Sequence, residues 1–250
     1  MTSSRTVLRS SVHMLARFHG MDPAPLWKTV RDFEPSGRPR WNRSNLAISS
    51  SGSTRELRLP LHPEGRFDPA TLLDWQRRFL AQASGVIGVI ELEDARVVED
   101  LPVVVVEMPG TSLTEHVRDQ GLLSEAESLA LAHHLGSTIS ELHRRGLHHL
   151  DIRPGTLVRG RRGWVLDHPR PLPIEESRYS PEHDLPAFRD VWGCASILSF
   201  AATGDAVIEA ESMSDEVRRL IEAMPLGDEL AGFRELLLVR VADWLARRSA

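Results

Sequence analysis

Two spacings of apolar residues divide the chain. Over residues 26–108 the apolar positions fall in short runs of strand length, separated by turn residues. Leu26 to Phe33 (LWKTVRDF) and Trp41 to Ser49 (WNRSNLAIS) flank the turn PSGRPR, and SSGS leads into TRELRLPL, so three antiparallel strands are expected. Asp68 and Pro69 then predict a helix start, because the aspartate can accept from free backbone N–H groups and proline lacks the N–H that would have no partner there. Leu72, Leu73, Gln76, Phe79, Leu80 and Ala83 recur every three or four residues and mark its inward stripe. Val86 to Glu93 and Leu101 to Met108 read as two more strands, the second a VVVV run expected of a strand buried on both faces.

From residue 109 the helical period dominates. Ser124 and Glu127 have the spacing of a capping box for a helix reaching Arg145, with Ala126, Leu129, Leu135, Ile139 and Leu142 as its buried stripe. Further helices are expected over Phe188 to Gly204, Ser214 to Met224 and Asp228 to Arg247, the last with Leu230, Phe233, Leu237, Val241 and Trp244 in phase. Near the start, Val7, Leu8, Val12, Leu15 and Phe18 predict a short helix that stops at Gly20 and MDPAP. The pattern is that of an α+β chain with a helical extension over 1–25 ahead of its main body.

Composition narrows the function classes. A chain of 250 residues, 41% apolar, can bury a substantial core. A formal charge of −5 with scattered basic residues argues against general nucleic-acid binding, which needs a concentrated basic footprint. Arg159, Arg161 and Arg162 read as a solvated hairpin tip. Cys194, the one cysteine, has no partner for a disulfide. No signal pattern opens the chain and no apolar run reaches the roughly 20 residues of a membrane span, so a cytoplasmic protein is expected. Of the 30 basic residues only Lys28 is lysine, so chemistry that requires one has a single candidate.

Five landmarks in order carry a resemblance. Glu107 and Met108 precede PGTSL, HLDIRPGTLV spans His149 to Val158, WVLDHPRP spans Trp164 to Pro171, RYSPE spans Arg178 to Glu182, and FRDVWG begins at Phe188. They resemble the hinge, the H-R-D-L-K-P-E-N-I-L catalytic loop, the Asp-Phe-Gly motif, Ala-Pro-Glu and the D-V-W helix of eukaryotic-type Ser/Thr protein kinases. The resemblance implies a bilobal α+β fold: an N-lobe over 26–108 with a small antiparallel sheet and one main helix, and a shortened, mostly helical C-lobe over 109–250.

It also implies site roles. Asp151 would accept the substrate hydroxyl's proton, with Arg153 near the transferring phosphoryl group, and Asp167 would hold Mg²⁺ on ATP. Glu107 and Met108 would meet adenine. His149 would pack near the metal loop, and Asp190 would hydrogen-bond the catalytic-loop backbone. Aligning RELR with V-A-I-K puts Arg58 at the phosphate-bridging lysine, and counting along the helix puts Gln76 at the glutamate that pairs with it, with Asp74 near enough to compete.

Several nucleotide-handling elements depart together. Arg58 replaces the lysine, Gln76 its glutamate, and Thr156 the metal-binding asparagine; Pro169 fixes φ where the family has glycine. The turn that should cradle phosphates has one glycine, Gly37, and two prolines, Pro35 and Pro39, though Arg38 and Arg40 could touch phosphate. Lys28 could stand in for the absent lysine only from a neighbouring strand. The expectation is a pseudokinase, a scaffold or regulator working through a protein partner, with weak or absent binding of ATP and Mg²⁺. The alternative is a divergent Ser/Thr kinase using Asp151 and Asp167. A third reading, a small-molecule phosphotransferase, rests on Pro154-Gly155, which resembles the loop of aminoglycoside and choline kinases.

Overall fold

A computed structural model describes residues 28–33, 42–48, 52–60, 68–98, 101–170, 185–206, and 214–238 apart from 229 and 236. The expected N-terminal helix, the turn PSGRPR, the Ser180-Pro181-Glu182 motif, Val241 and Trp244 lie outside these residues, as does the side chain of Lys28.

Five antiparallel strands form one sheet: β1 (Lys28–Phe33), β2 (Asn42–Ile48), β3 (Thr54–Pro60), β4 (Leu92–Val98) and β5 (Leu101–Glu107), in the order β1-β2-β3-β5-β4. Helix α1 (Pro69–Gln82) packs on this sheet, capped by Asp68, whose carboxylate accepts from the N–H groups of Ala70 and Thr71. Its Leu73, Phe79 and Leu80 close over Val104 and Val106 of β5. The VVVV run is buried on both faces, as its unbroken apolar character requires.

The second half is helical: α2 (Leu113–Gln120), α3 (Glu125–Arg144), α4 (Pro186–Thr203) and α5 (Asp215–Glu222), followed by a helical stretch within 228–238. Between α3 and α4 lies the hairpin of β6 (Leu157–Gly160) and β7 (Gly163–Leu166). Ser124 and Glu127 make the expected capping box, each side chain bonding the other's backbone N–H. Its buried stripe differs from expectation. Leu131, Ala132, Leu135, Ile139 and Leu142 face the core, while Ala126 and Leu129 face solvent, because the stripe that continues through Leu135 and Ile139 passes through Ser128 rather than Leu129.

The expected strand Val86 to Glu93 is corrected: strand β4 begins only at Leu92. Gly85 and Gly88 have φ of 78° and 95°, which breaks an extended run, and Val86, Val89 and Ile90 are buried, with Val89 in an isolated parallel bridge to Leu166. This turn joins the two halves. Ile90 N–H donates to Leu166 O at 3.0 Å, Leu166 N–H to Gly88 O at 2.7 Å, and the Thr138 hydroxyl of α3 to Ile87 O at 3.0 Å. A Cβ on Gly88 would fall 2.1 Å from Thr138 Oγ1, so only glycine permits that approach. Among the described residues no helix is long and apolar enough to cross a membrane.

Candidate functional site

The segment after α3 must leave the helix and double back beneath the sheet, and a buried carboxylate from α4 makes this possible. Asp190, with no exposed surface, accepts from the backbone N–H groups of His149 and Leu150, each at 2.8 Å, and lies 2.8 Å from His143 Nε2. Leu150 takes a left-handed φ of 61°, a conformation that costs energy outside glycine and is stabilised here by the Asp190 bond to its N–H. Burial works against the Asp190 charge, but its hydrogen bond with His143 and the neighbouring imidazoles offset it and leave its pKa below the usual carboxylate range. Helix α4 comes close because residue 193 is glycine: a Cβ there would meet Ile152 O at 2.6 Å.

Asp151, in the proton-acceptor position, is buried and enclosed by cations. Arg153 Nε donates to its Oδ1 at 2.9 Å, and Arg170 Nε lies 3.1 Å from Oδ2 as an ion pair that is not aligned for a hydrogen bond. Each carboxylate oxygen of Asp151 thus faces a guanidinium group. Thr156 is fully buried and its hydroxyl serves the loop itself. It donates toward Asp151 O at 2.6 Å and accepts from Arg153 N–H at 3.1 Å, the bonds that close the turn. A hydroxyl so used is not directed at a metal.

The metal loop shows the largest departure. Arg58, at the centre of β3, is fully buried, and its Nη2 bridges Asp167 Oδ2 at 2.7 Å and Glu56 Oε2 at 2.8 Å. Glu56 stands two residues before Arg58 and therefore on the same face of the strand, where V-A-I-K has alanine. Burial opposes the Arg58 charge, yet the carboxylates of Asp167 and Glu56 more than offset it and its pKa is raised. Asp167 Oδ1 accepts from His168 N–H at 2.7 Å, and the fully buried His168 holds a φ of 55° with its Nε2 3.6 Å from Asp167 Oδ2. Asp167 Oδ2 is thus held by a guanidinium, which, unlike an imidazole, can neither ligate a metal nor lose its charge. The arrangement does not fit Mg²⁺, which needs oxygens converging at close range and would lie beside a guanidinium of like charge.

Gln76 faces inward from α1 with no exposed surface, and its amide finds no partner, whereas Asp74 lies outward and pairs with Arg77 and Arg78. The glutamate's usual task of pairing with the β3 cation has passed to Glu56. At the end of β5, Glu107 turns its buried carboxylate toward the β6–β7 turn, where the Arg161 N–H and Nε each donate to it at 3.2 Å; Met108, next in line, is half-buried. Arg161 also pairs with Glu91 and Glu93, and Arg159 lies 4.0 Å above the Trp164 ring. Arg161 and Arg162 are exposed at the turn, as the expected solvated tip requires, and Arg161 in addition clamps the turn to β4 and the hinge. A cavity of about 100 Å³ opens beside this clamp, lined by Gly85, Gly88, Glu91, Glu107, His134 and Arg162, and not at Arg58 or Asp167.

The structure thus brings Arg58, Asp167 and the unforeseen Glu56 together, and groups Asp151 with Arg153 and the unforeseen Arg170. Solved structures of the same architecture include the kinase domain of PknI from Mycobacterium tuberculosis, with a TM-score of 0.59 and 16% identity over 86% of this chain and 95% of that one. Rad53 residues 1–466 in complex with AMP-PNP match with a TM-score of 0.60 and 14% identity, over 85% of this chain and 60% of that one. The chain has a protein-kinase-like fold. Among curated proteins it is similar to mouse sperm motility kinases 2B and 3A, each 29% identical over 131 residues, or 45% of this chain. The match spans only 27% and 26% of their lengths. No protein-family model matches the chain.

Proposed function

We propose that this kinase-like chain is a pseudokinase, a scaffold or regulator that acts by binding a protein partner, with weak or absent nucleotide binding. One observation carries the reading: the Arg58 guanidinium fills the space between β3 and the metal loop and ties Asp167 to Glu56 with all three side chains out of solvent. ATP with Mg²⁺ could enter only by breaking this triad, and parting a buried ion pair costs about 3–5 kcal/mol. Gln76 and Thr156 support the same reading, since neither supplies the charge or the directed oxygen its position needs.

The test is thermal unfolding with ATP and Mg²⁺ over a wide concentration range. The scaffold reading expects no rise in Tm at concentrations that saturate an ordinary kinase. A second reading, a divergent Ser/Thr kinase, draws on Asp151 and Asp167 both remaining in the cleft. Phosphate transfer by the unaltered chain that vanishes in Asp151→Asn and Asp167→Asn variants would establish it.

A further inference from the structure

Away from the Arg58 triad, two imidazoles and a carboxylate converge where three segments meet. His143 comes from the end of α3, His148 from the segment entering the Asp151 loop and Asp190 from α4, and one ligand atom of each lies within 4.8 Å of the others. The His143 and His148 rings sit 4.6 Å apart at 65°.

Two observations separate this cluster from an ordinary histidine–aspartate hydrogen bond. His148 Nδ1 is buried and has no hydrogen-bond partner, a position that is unfavourable unless something binds it. Asp190 is held by two backbone N–H groups, an outer layer of contacts like that which orients metal-ligating carboxylates. Magnesium and calcium select oxygen ligands, whereas two imidazoles with one carboxylate form the donor set of zinc sites that keep a position open for water.

We propose that His143, His148 and Asp190 bind a zinc-type divalent transition-metal ion. The ion links α3, the loop entry and α4, and half-buried His148 leaves its fourth position facing solvent. It takes the place of the proton between His143 Nε2 and Asp190 Oδ2, which departs to solvent, and the 2.8 Å contact opens toward the about 3.3 Å edge shared by two ligands of a tetrahedral ion. The inference is independent of whether the cleft holds nucleotide.

Cobalt titration of the metal-stripped full chain, followed by visible absorption, tests it. The expected result is a saturable four-coordinate cobalt spectrum that zinc abolishes by displacement. Affinity should fall at least about tenfold in His148→Ala and stay unchanged in His133→Ala, an exposed histidine on α3. Absence of the spectrum in the unaltered chain would overturn the proposal whatever the variants do. So would a His148→Ala variant that binds cobalt as tightly as the unaltered chain.

Discussion

The support beneath the Asp151 loop and the cleft above it use buried charge in different ways. Below, every oxygen of Asp190 has a task that fixes backbone: two amide donors and an imidazole converge on it, and the loop is shaped as a result. Above, Arg58 bridges Glu56 and Asp167 through a single guanidinium nitrogen, while its other two nitrogens and the buried Gln76 amide have no hydrogen-bond partner. The lower region shapes the loop. On the reading proposed above, the upper region uses protein groups where nucleotide and metal would supply charge.

Breaking the lower network should cost most. Asp190→Ala leaves two buried N–H groups and an imidazole without their acceptor, and urea unfolding should show a loss of about 5 kcal/mol, comparable to the whole stability of many domains. A loss below about 1 kcal/mol would mean that the loop holds its shape unaided. Next comes Arg58→Met, which leaves two carboxylates facing each other out of solvent; a loss of about 3–5 kcal/mol is expected in the same assay. Near-neutral behaviour would show that the triad is not a structural substitute for ligand.

Smaller effects sharpen the contrast at the edges. Arg161→Ala removes the side-chain partner of Glu107 and leaves the backbone N–H bond in place; because the arginine is about half exposed, solvent screening limits the expected loss to about 1 kcal/mol, shrinking further in high salt. Asp74→Ala removes only outward pairs with Arg77 and Arg78 and should change stability by less than about 0.5 kcal/mol. A larger loss would place Asp74, rather than Gln76, in an energetic role on α1.

The sequence made much of the fold legible because backbone-setting residues sit in short motifs: Asp68-Pro69, the Ser124–Glu127 capping box and FRDVWG each mark an element the structure contains. The turn at 85–90 reads as strand because Val86, Ile87, Val89 and Ile90 are β-branched, although Gly85 and Gly88 carry the opposing signal. The cleft was less legible. Glu56 could have been found, since residues two apart on a strand share a face, and Glu56 lies two before Arg58. Arg161 was hidden because its partners Glu91, Glu93 and Glu107 are more than 50 positions away in sequence. Nothing in the spacing around Pro169 shows that Arg170 turns back toward Asp151.

If protein groups fill the cleft from within, nucleotide should do little to stabilise the unaltered chain. Thermal unfolding with increasing ATP and Mg²⁺ should leave Tm unchanged at concentrations that saturate an ordinary kinase. A rise that saturates at those same concentrations, worth about 2.7 kcal/mol at 100 times Kd, would contradict that reading.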